Sequence, residues 1–347
     1  MRVLVTGATG FVGSHAAAAL ARAGHRLRLL VRDPRKAERV LAAHGIAEAE
    51  LALGDVTDAA AVGPALAGCD ALLHAAAVVA LEAHRADEAH RTNARGVEVV
   101  LGEAHRRALR SLVYVSSAAA LFAPGAGPIG PDAPVASPRS PYARSKAAAE
   151  RFARALAAEG APLRIVYPVG VVGPDDPGLS EMNHTIQVLV RDFLALTSSG
   201  ISLVDVRDLA QILLALVEGR AAPGRYVAGG HTLSWREVAA LLEEATGRPV
   251  RKLPIPGALL RAAGRVGDAV KRVVPFDFPL THEAMTFATR WPGADGAAAA
   301  AAAGVRYRDP AESIADALRW LAAAGHLRPE QVGRLAPGAN GAAAARQ

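Results

Sequence analysis

Three side chains of the sequence are suited to moving a proton together, namely Ser117, Tyr142 and Lys146. Tyr142 and Lys146 are four residues apart, so on a helix their side chains project from one face. A neighbouring ammonium favours the charged form of a phenol and lowers its pKa from an ordinary value of about 10. Such a phenol can give a proton to a carbonyl oxygen or take one from an alcohol near neutral pH. Ser117 would hydrogen-bond the same oxygen.

The flanking residues predict the elements that position these side chains. The apolar run over 111–117 predicts a strand that ends in Ser116 and Ser117. Ser140 suits the N-cap of a helix and Pro141 suits its first position, so a helix is predicted to carry both the phenol and the ammonium. Ligands of parallel α/β sheets gather at the carboxyl ends of the strands, and the two serines are therefore expected to face a site.

A glycine-rich turn near the N-terminus forms a second chemical motif. It follows the apolar run from Val3 to Val5 and precedes an alanine-rich helix that ends before Gly24. Glycines at this spacing turn the chain sharply and let a pyrophosphate approach bare N–H groups, so we interpret the turn as a dinucleotide loop rather than a plain turn. The loop residues predicted to bind the cofactor are Gly7, Thr9, Gly10, Phe11, Val12 and Gly13.

The end of the second predicted strand bears on the choice of dinucleotide. Arg32 stands where NAD-binding chains have an acid that holds the ribose hydroxyls, and an arginine can pair with the 2′-phosphate of NADP. NADP(H) is therefore favoured, with Arg32 and Lys36 as candidate contacts. NAD(H) stays open because Asp33 could turn in, and Lys36 could also belong to a solvated basic turn.

Strand candidates alternate with helical patterns from Val3 to Pro168. This alternation predicts an α/β fold, a Rossmann doubly wound parallel sheet with a smaller C-terminal substrate-binding α/β lobe. Residues 1–170 and about 202–222 are predicted to form the dinucleotide-binding domain, and about 171–201 and 223–326 the lobe, with Arg225 to Val227 as a strand of that lobe. Residues 327–347, rich in Gly, Ala and Arg, are predicted to be a disordered tail.

Composition favours an enzyme acting on a small molecule. The 347 residues carry a net charge of +6, but the basic residues are scattered and only 4% of residues are aromatic, so no nucleic-acid surface is predicted. The basic segment 247–275 is interpreted as the solvated face of a lid helix rather than a membrane contact. The sequence shows no signal peptide or spanning segment, which predicts a cytoplasmic protein.

The remaining cysteine, histidine and serine residues do not form a recognisable catalytic or metal-binding motif in the sequence. Cys69 is the single cysteine, so it forms no internal disulfide and is interpreted as a small apolar residue. His74 is interpreted as a packed strand-end histidine rather than an acid or base. The serines lack a hydrolase elbow, and no metal site is predicted.

Taken together, the motifs resemble an extended short-chain dehydrogenase/reductase of the NAD-dependent epimerase/dehydratase family over roughly residues 1–326. Within it the chain is most similar to the dihydroflavonol-reductase-like branch, which includes proteins labelled hopanoid-associated sugar epimerases. The resemblance is carried by the glycine loop, Gly54-Asp55-Val56, His74-Ala75-Ala76, Thr92-Asn93, Ser116-Ser117, Tyr142 to Lys146, Val172-Gly173-Pro174 and Val204 to Asp208.

The resemblance implies further site residues. Asp55 and Val56 would border the adenine, and Asn93 would help to fix the catalytic neighbourhood. Ala75 and Ala76 would lie along the middle of the cofactor. The remaining members of the predicted cofactor site are Ala77, Ser116, Tyr142, Lys146, Pro168, Gly170 and Val171, the last three on the nicotinamide side.

Departures from the family pattern narrow the reaction. Ala118 and Ala119 stand where sugar dehydratases carry an acidic pair, so dehydration is disfavoured. The simplest remaining reaction is reversible hydride transfer between a ketone and an alcohol, with an apolar substrate favoured by the helix predicted over 180–196. A nucleotide-sugar 4-epimerase with tightly bound NAD and a non-catalytic NAD(P)-sensing protein are the alternatives. The resemblance is compatible with a monomer or a homodimer.

Overall fold

The computed structural model describes residues 1–77, 91–137, 141–271 and 281–336, and for residues 91, 92, 141–143 and 271 it describes the backbone only. The chain divides into two compact units. The first comprises Met1–Val169, Arg207–Gly229 and Ala294–Arg306, and the second comprises Gly170–Val206, Gly230–Gly293 and the chain from Tyr307 onward.

The strands are numbered in chain order. They are β1 (Arg2–Thr6), β2 (Arg26–Val31), β3 (Glu50–Leu53), β4 (Ala71–His74), β5 (Ser111–Val115), β6 (Leu163–Pro168), β7 (Gly170–Val172), β8 (Leu194–Leu196), β9 (Gly200–Asp205), β10 (Gly224–Ala228), β11 (His231–Ser234) and β12 (Lys252–Pro254).

The described helices are numbered in the same way. They are α1 (Phe11–Arg22), α2 (Pro34–Ala43), α3 (Ala59–Leu66), α4 (Gly96–Arg106), α5 (Pro141–Ala158), α6 (Glu181–Arg191), α7 (Val206–Val217), α8 (Trp235–Thr246), α9 (Gly257–Lys271), α10 (His282–Arg290), α11 (Ala297–Ala303), α12 (Pro310–Ala323) and α13 (Pro329–Val332). A π-helical turn (Arg91–Arg95) precedes α4, and short 3-10 turns span Ala118–Ala120 and Gly333–Leu335.

The first unit is built on one parallel sheet, in which seven described strands follow the order β10-β6-β5-β4-β1-β2-β3. Every neighbouring pair is parallel. The chain winds from β1 to β3 in one direction, returns to β4, and then winds the other way. Ligands of such sheets bind at the carboxyl ends of the strands where the direction reverses, here between β1 and β4. The predicted doubly wound sheet is confirmed.

The central strands of this sheet are buried on both faces, which accounts for their continuous apolar sequences. Val3, Leu4 and Val5 of β1 have no exposed surface, and neither do Leu72 and Leu73 of β4. Burying one such side chain contributes about 1.5–3 kcal/mol. Burial of these strands therefore fixes the positions of their carboxyl ends, where ligands of such sheets bind.

The second unit has smaller sheets and its own helical core. β9 lies between β11 and β7, and β12 pairs with β8. Helices α8 and α12 pack together and bury Val238, Leu242, Leu318 and Leu321 at 0–1% exposure. Because this core contains no residue of the first unit, the second unit is stabilised by contacts of its own.

Two strands pair differently from the sequence expectation. β9, assigned from sequence to the dinucleotide-binding domain, pairs with β7 and β11 in the second unit. β10, assigned to the lobe, instead pairs with β6 and forms an edge of the large sheet. The pairing of each strand is set by tertiary contacts that its own sequence does not encode.

The expectation of a disordered tail from residue 327 does not hold for 327–336. Leu327 and Val332 are buried at 3% and 0% exposure in the core of the second unit, and α13 lies between them. The high Ala and Gly content of this stretch led to the expectation of disorder, although Leu327 and Val332 are apolar residues that join a core. Within the described residues, none of the helices has the length and apolar character needed to cross a membrane.

Candidate active site

The glycine turn after β1 is held by close backbone packing. Gly7 has φ +75°, and a Cβ there would lie 2.6 Å from the carbonyl carbon of Ala75 and from the amide nitrogen of Ala76. A Cβ on Gly13 would overlap the carbonyl oxygen of Gly7. The turns after β1 and β4 therefore meet closely only because these positions are glycine.

Gly10 has a different reason to lack a side chain. A Cβ there would meet no protein atom closer than 3.4 Å, so the protein itself does not require glycine. Gly10 is the N-cap of α1, no side chain caps the helix, and its first turn has no acid. The positive end of the helix dipole and its N–H groups are thus available to an anion. The turn fits the pyrophosphate of a dinucleotide.

Thr6 ties together the ends of β1 and β4. Its Oγ1 lies 2.7 Å from His74 Nδ1, and it also accepts a hydrogen bond of 3.3 Å from the Ala76 N–H. Thr6 and His74 are direct partners in the register of the two strands. This contact sets the position of Ala75 and Ala76, both predicted to line the cofactor.

His74 is a neutral, buried residue beneath the site. It is 1% exposed, and its ring stacks on Tyr114 at 5.7 Å between centroids. Burial, with the nearby Lys146 ammonium, lowers the pKa of His74 to about 3. Its Nε2 has no hydrogen-bond partner in the described chain. A permanently neutral imidazole supports the predicted packing role rather than acid–base catalysis.

The ends of β2 and β3 bring together an arginine and an acid. Arg32 Nη1 lies 3.6 Å from Asp55 Oδ2, and the Arg32 side chain is 65% exposed. Burial alone would raise the pKa of Asp55, but hydrogen bonds from Thr57 and the charge of Arg32 hold it below its ordinary value. Asp33 Oδ1 accepts the Lys36 N–H at 3.0 Å and caps α2. The exposed cation here is therefore Arg32, while Asp33 caps the helix.

Lys146 is buried within α5 at 4% exposure. Burial lowers the pKa of Lys146 to about 8, and the Glu150 carboxylate opposes this shift. Its ammonium lies close enough to His74, at the end of β4, to affect the pKa of that histidine. The predicted lysine is thus placed beside the strand ends where the dinucleotide loop also lies.

Tyr142 lies in the first turn of α5, but its side chain is outside the described part of the structure. Its backbone position four residues before Lys146 in a continuous helix agrees with the predicted shared face. Ser117 caps the 3-10 turn that follows β5, and its Oγ accepts a hydrogen bond of 3.2 Å from the Ala119 N–H. A hydroxyl that accepts in this way still has a proton to donate.

Asn93 lies in the π-helical turn before α4, a local distortion often found at functional sites. Its Nδ2 donates to Ser145 Oγ at 3.3 Å, and both residues are buried. Ser145 is the neighbour of Lys146 in α5. The predicted role of Asn93 in fixing this neighbourhood thus has a direct contact to act through.

Ser116 points away from its neighbour Ser117 into a buried network. Its hydroxyl donates to Glu150 Oε2 at 2.8 Å, and Tyr167 Oη donates to Glu150 Oε1 at 2.5 Å. Arg154 Nε donates to the same Oε1 at 2.7 Å. The side chain of Ser116 therefore bonds to α5, and its backbone N–H donates to Val166 O at 2.8 Å.

The remaining predicted positions are distributed over both units. Val56 is buried against Gly96, where a Cβ would lie 2.9 Å from Val56 Cγ2, and Pro168 ends β6. Gly170 and Val171 lie in β7 of the second unit. Thr9, Phe11 and Val12 belong to the glycine turn and the start of α1, and Ala77 follows β4.

The sequence interpretation missed three residues that organise the site, namely Thr6, Glu150 and Arg154. Thr6 was overlooked because a threonine at a strand end is common, although its position beside the glycine turn is a usable signal. Lys146, Glu150 and Arg154 follow one another at intervals of four residues on a helix with many alanines. A charge series at that spacing on one helix face could have indicated the buried network.

The fold and the glycine turn define a dinucleotide-binding enzyme class, and comparison with known families agrees. Residues 3–229 match the NAD dependent epimerase/dehydratase family, and the chain belongs to that family. It is a nicotinamide-dependent enzyme of the extended short-chain dehydrogenase/reductase type, as predicted.

Two relatives match most of the chain. Sterol demethylase protein B of Methylococcus capsulatus is 31% identical over 278 residues, which is 78% of this chain and 83% of the relative. A putative dihydroflavonol 4-reductase of Synechocystis is 27% identical over 334 residues, 94% of this chain and 96% of the relative. A solved structure named gox2253 matches with a TM-score of 0.79 at 28% identity, covering 94% of this chain and 99% of that chain.

Proposed function

We propose that the protein is an NADP-preferring reductase that reversibly converts an apolar ketone into an alcohol, with Ser117, Tyr142 and Lys146 as catalytic residues. The observation that carries the proposal is the buried lysine. Lys146 is 4% exposed, lies close enough to His74 at the end of β4 to lower its pKa, and follows Tyr142 by one helical turn. A buried ammonium at that place has no evident structural use, because burying an unneeded charge is costly.

The residues divide the proton chemistry between them. Ser117 donates a hydrogen bond to the substrate oxygen and so orients the substrate, but keeps its own proton. Tyr142 gives that oxygen its proton during reduction and takes it back during alcohol oxidation. Lys146 stabilises the phenolate that Tyr142 becomes, which lowers the pKa of the phenol. A bound nicotinamide cofactor supplies or accepts the hydride at the substrate carbon.

The cofactor preference rests on the end of β2. Arg32 is largely exposed, whereas the alternative ribose ligand Asp33 is engaged as the N-cap of α2. A guanidinium pairs well with a phosphate and gains nothing comparable from a ribose hydroxyl. NADPH is therefore the expected reductant, with Asp55 holding Arg32 in place.

The apolar nature of the substrate is supported by the relatives, since the name of one refers to a sterol and the name of another to a dihydroflavonol. The helix that was expected to supply an apolar wall uses much of its apolar surface elsewhere. Ile186 of α6 and Leu194 of β8 are buried in the core of the second unit, whereas Phe193 is 38% exposed. Phe193 is therefore the most exposed of these three side chains.

A nucleotide-sugar 4-epimerase is the second candidate, favoured by the name of the family itself. Such an enzyme returns the hydride to the same substrate and shows no net use of added cofactor. Purified protein that contains stoichiometric NAD and does not oxidise NADPH with any ketone would support the epimerase. A non-catalytic NAD(P)-sensing protein would have no need for the buried Lys146.

The test is substrate-dependent loss of NADPH absorbance, screened with aliphatic, aromatic, steroid-like and sugar-nucleotide carbonyl compounds. Tyr142→Phe removes the proton donor and is expected to reduce kcat at least about 100-fold. Tyr226→Phe is the matched control, because that phenol donates to Ala222 O on the exposed edge of the sheet. Equal rates in wild type and Tyr142→Phe would remove Tyr142 from the mechanism.

A further inference from the structure

Glu150 is a fully buried acid that the reaction described above does not use. It lies on α5, one turn after Lys146, and has 0% exposure. Residues at this spacing on a helix have Cβ atoms about 5–6 Å apart. Burying a carboxylate costs several kcal/mol unless hydrogen bonds and a cation compensate. An ordinary apolar side chain would be the simpler choice if the position served packing alone.

The hydrogen bonds of Glu150 suit a carboxylate, because its partner Arg154 can only donate. All three neighbours donate to it: Ser116 Oγ to Oε2 at 2.8 Å, Tyr167 Oη to Oε1 at 2.5 Å, and Arg154 Nε to Oε1 at 2.7 Å. A protonated acid would need an acceptor, whereas two hydroxyls and a guanidinium suit a carboxylate. Burial raises the pKa of Tyr167 and the carboxylate adds to this, so the phenol stays protonated and keeps donating.

The titratable groups near Lys146 come from three elements, β4, α5 and β6, and they carry different charges. His74, at the end of β4, is neutral because burial lowers its pKa to about 3. On α5 Glu150 lies one helical turn after Lys146, and Arg154 lies one turn further along. Tyr167, from β6, is neutral. Among these described groups, Glu150 is the anion, and it opposes the effect of burial on the pKa of Lys146.

We propose that Glu150 is a positioning residue that acts through Lys146, keeping the lysine protonated and fixing it relative to the end of β5 through Ser116. This inference rests on the proposed function, because a charged Lys146 matters there for proton transfer by Tyr142. Arg154 competes with Lys146 for the carboxylate and sets how strongly it acts. The residue touches no reacting atom and is not itself catalytic.

A direct measurement is available because the sequence contains four lysines, Lys36, Lys146, Lys252 and Lys271. Protein labelled with ¹³C at the lysine ε-carbons gives one NMR signal for each, and Lys146→Arg identifies the signal of interest. Titration then gives the pKa of Lys146 without substrate or cofactor. In Glu150→Gln the pKa of Lys146 is expected to fall by about one unit or more, the effect of losing a neighbouring opposite charge.

Control variants distinguish loss of the Glu150 charge from loss of a hydrogen bond in the same network. Glutamine keeps the size of Glu150, can accept from Tyr167 or Arg154, and can donate to Ser116. Tyr167→Phe removes one hydrogen bond but keeps the carboxylate, so the pKa of Lys146 is expected to stay within a few tenths of wild type. Arg154→Met removes the competing cation and should raise that pKa. This opposite shift provides a test even if Glu150→Gln does not fold.

Activity provides the second readout. The alkaline limb of the pH profile of kcat for ketone reduction is expected to move to lower pH in Glu150→Gln and to stay in place in Tyr167→Phe. An unchanged Lys146 pKa in both Glu150→Gln and Arg154→Met would overturn the inference. Lack of Tyr142-dependent turnover in wild type would instead overturn the proposed function, and the NMR titration would still decide the coupling between Glu150 and Lys146.

Discussion

At the scale of single residues, the site combines buried charges with one exposed charge. Lys146 and Glu150 are buried on α5, where Glu150 opposes the effect of burial on the pKa of Lys146, while the nearby His74 is neutral. Arg32 is exposed after β2 and pairs with Asp55 at 3.6 Å. A buried charge is suited to catalysis because it is not screened, and an exposed arginine is suited to capture of a charged ligand.

The proposed role of Arg32 leads to a prediction about cofactor choice. Arg32→Ala removes a charge-assisted contact worth about 1.5–3 kcal/mol, so the Kd for NADPH should rise roughly 10- to 100-fold while the Kd for NADH changes little. Fluorescence titration of the two reduced cofactors measures both constants. Arg39→Ala, an exposed arginine further along α2, is the matched control and should leave both unchanged. An unaltered NADPH preference in Arg32→Ala would refute the role given to Arg32.

Sequence alone predicted the residues whose spacing is local. The glycines, the pair at 142 and 146 and the serines at the end of β5 could be identified because each motif lies within one turn or one strand end. The partners of Glu150 could not, since Ser116 is 34 residues away and Tyr167 is 17 residues away in the sequence. The contact between Thr6 and His74 spans 68 residues and depends on the pairing of β1 with β4.

At the scale of elements, the N-terminus of α1 is the part of the molecule prepared for an anion. Gly7 and Gly13 are required by the protein, because a side chain at either would meet backbone atoms. Gly10 is not, and the helix begins there without a side-chain cap. Gly7 and Gly13 are therefore expected to be required for folding, whereas Gly10 is expected to be required for binding of the ligand.

That difference can be tested with a pair of alanine substitutions. Gly10→Ala has an allowed φ of −102° and should cost about 1 kcal/mol or less in stability. It should nevertheless weaken dinucleotide binding about tenfold or more, because the methyl group would occupy the space of the pyrophosphate. Calorimetric titration with NADPH and thermal unfolding measure the two effects.

Gly13→Ala serves as the contrasting variant. Its methyl group would overlap the Gly7 carbonyl, so this variant should lose stability as well as binding. If Gly10→Ala bound NADPH as tightly as wild type, the pyrophosphate would not lie at this turn. If it unfolded as readily as Gly13→Ala, glycine at position 10 would be a requirement of the fold.

Helices and central strands were predicted correctly where hydrophobic patterns were long, and short edge elements were not. β10 has five residues, and nothing in Gly224–Ala228 indicates that it pairs with β6 rather than with a neighbour in sequence. Residues 327–336 gain their order from burial of Leu327 and Val332 against α12, a tertiary effect. Composition reports local tendencies and misses such contacts.

At the scale of the whole molecule, the two units have separate cores. The dinucleotide turn, Lys146 and the described catalytic candidates all lie in the first unit. Leu242 and Leu318 belong to the core of the second. Damage to the second core is therefore expected to affect stability without a matching effect on cofactor binding.

Leu242→Ala tests this separation. Truncating a leucine with 0% exposure should lower the free energy of unfolding by about 2–5 kcal/mol. The Kd for NADPH, measured well below the melting temperature, should stay within about twofold of wild type. Leu259→Ala is the matched control, because that leucine is 63% exposed and its loss should cost no more than about 0.5 kcal/mol. A large rise in the NADPH Kd of Leu242→Ala would show that the units depend on one another.

The first unit is assembled from three separate stretches of chain, the last of which is Ala294–Arg306. During synthesis, the ribosome releases β6 long before it releases α11, and residues of the second unit emerge in between. At translation speeds of about 5–20 residues per second, the delay is roughly 7 to 27 s. β10, which pairs with the edge of β6, follows β6 by about 60 residues, so at the same speed that edge waits roughly 3 to 12 s for its partner.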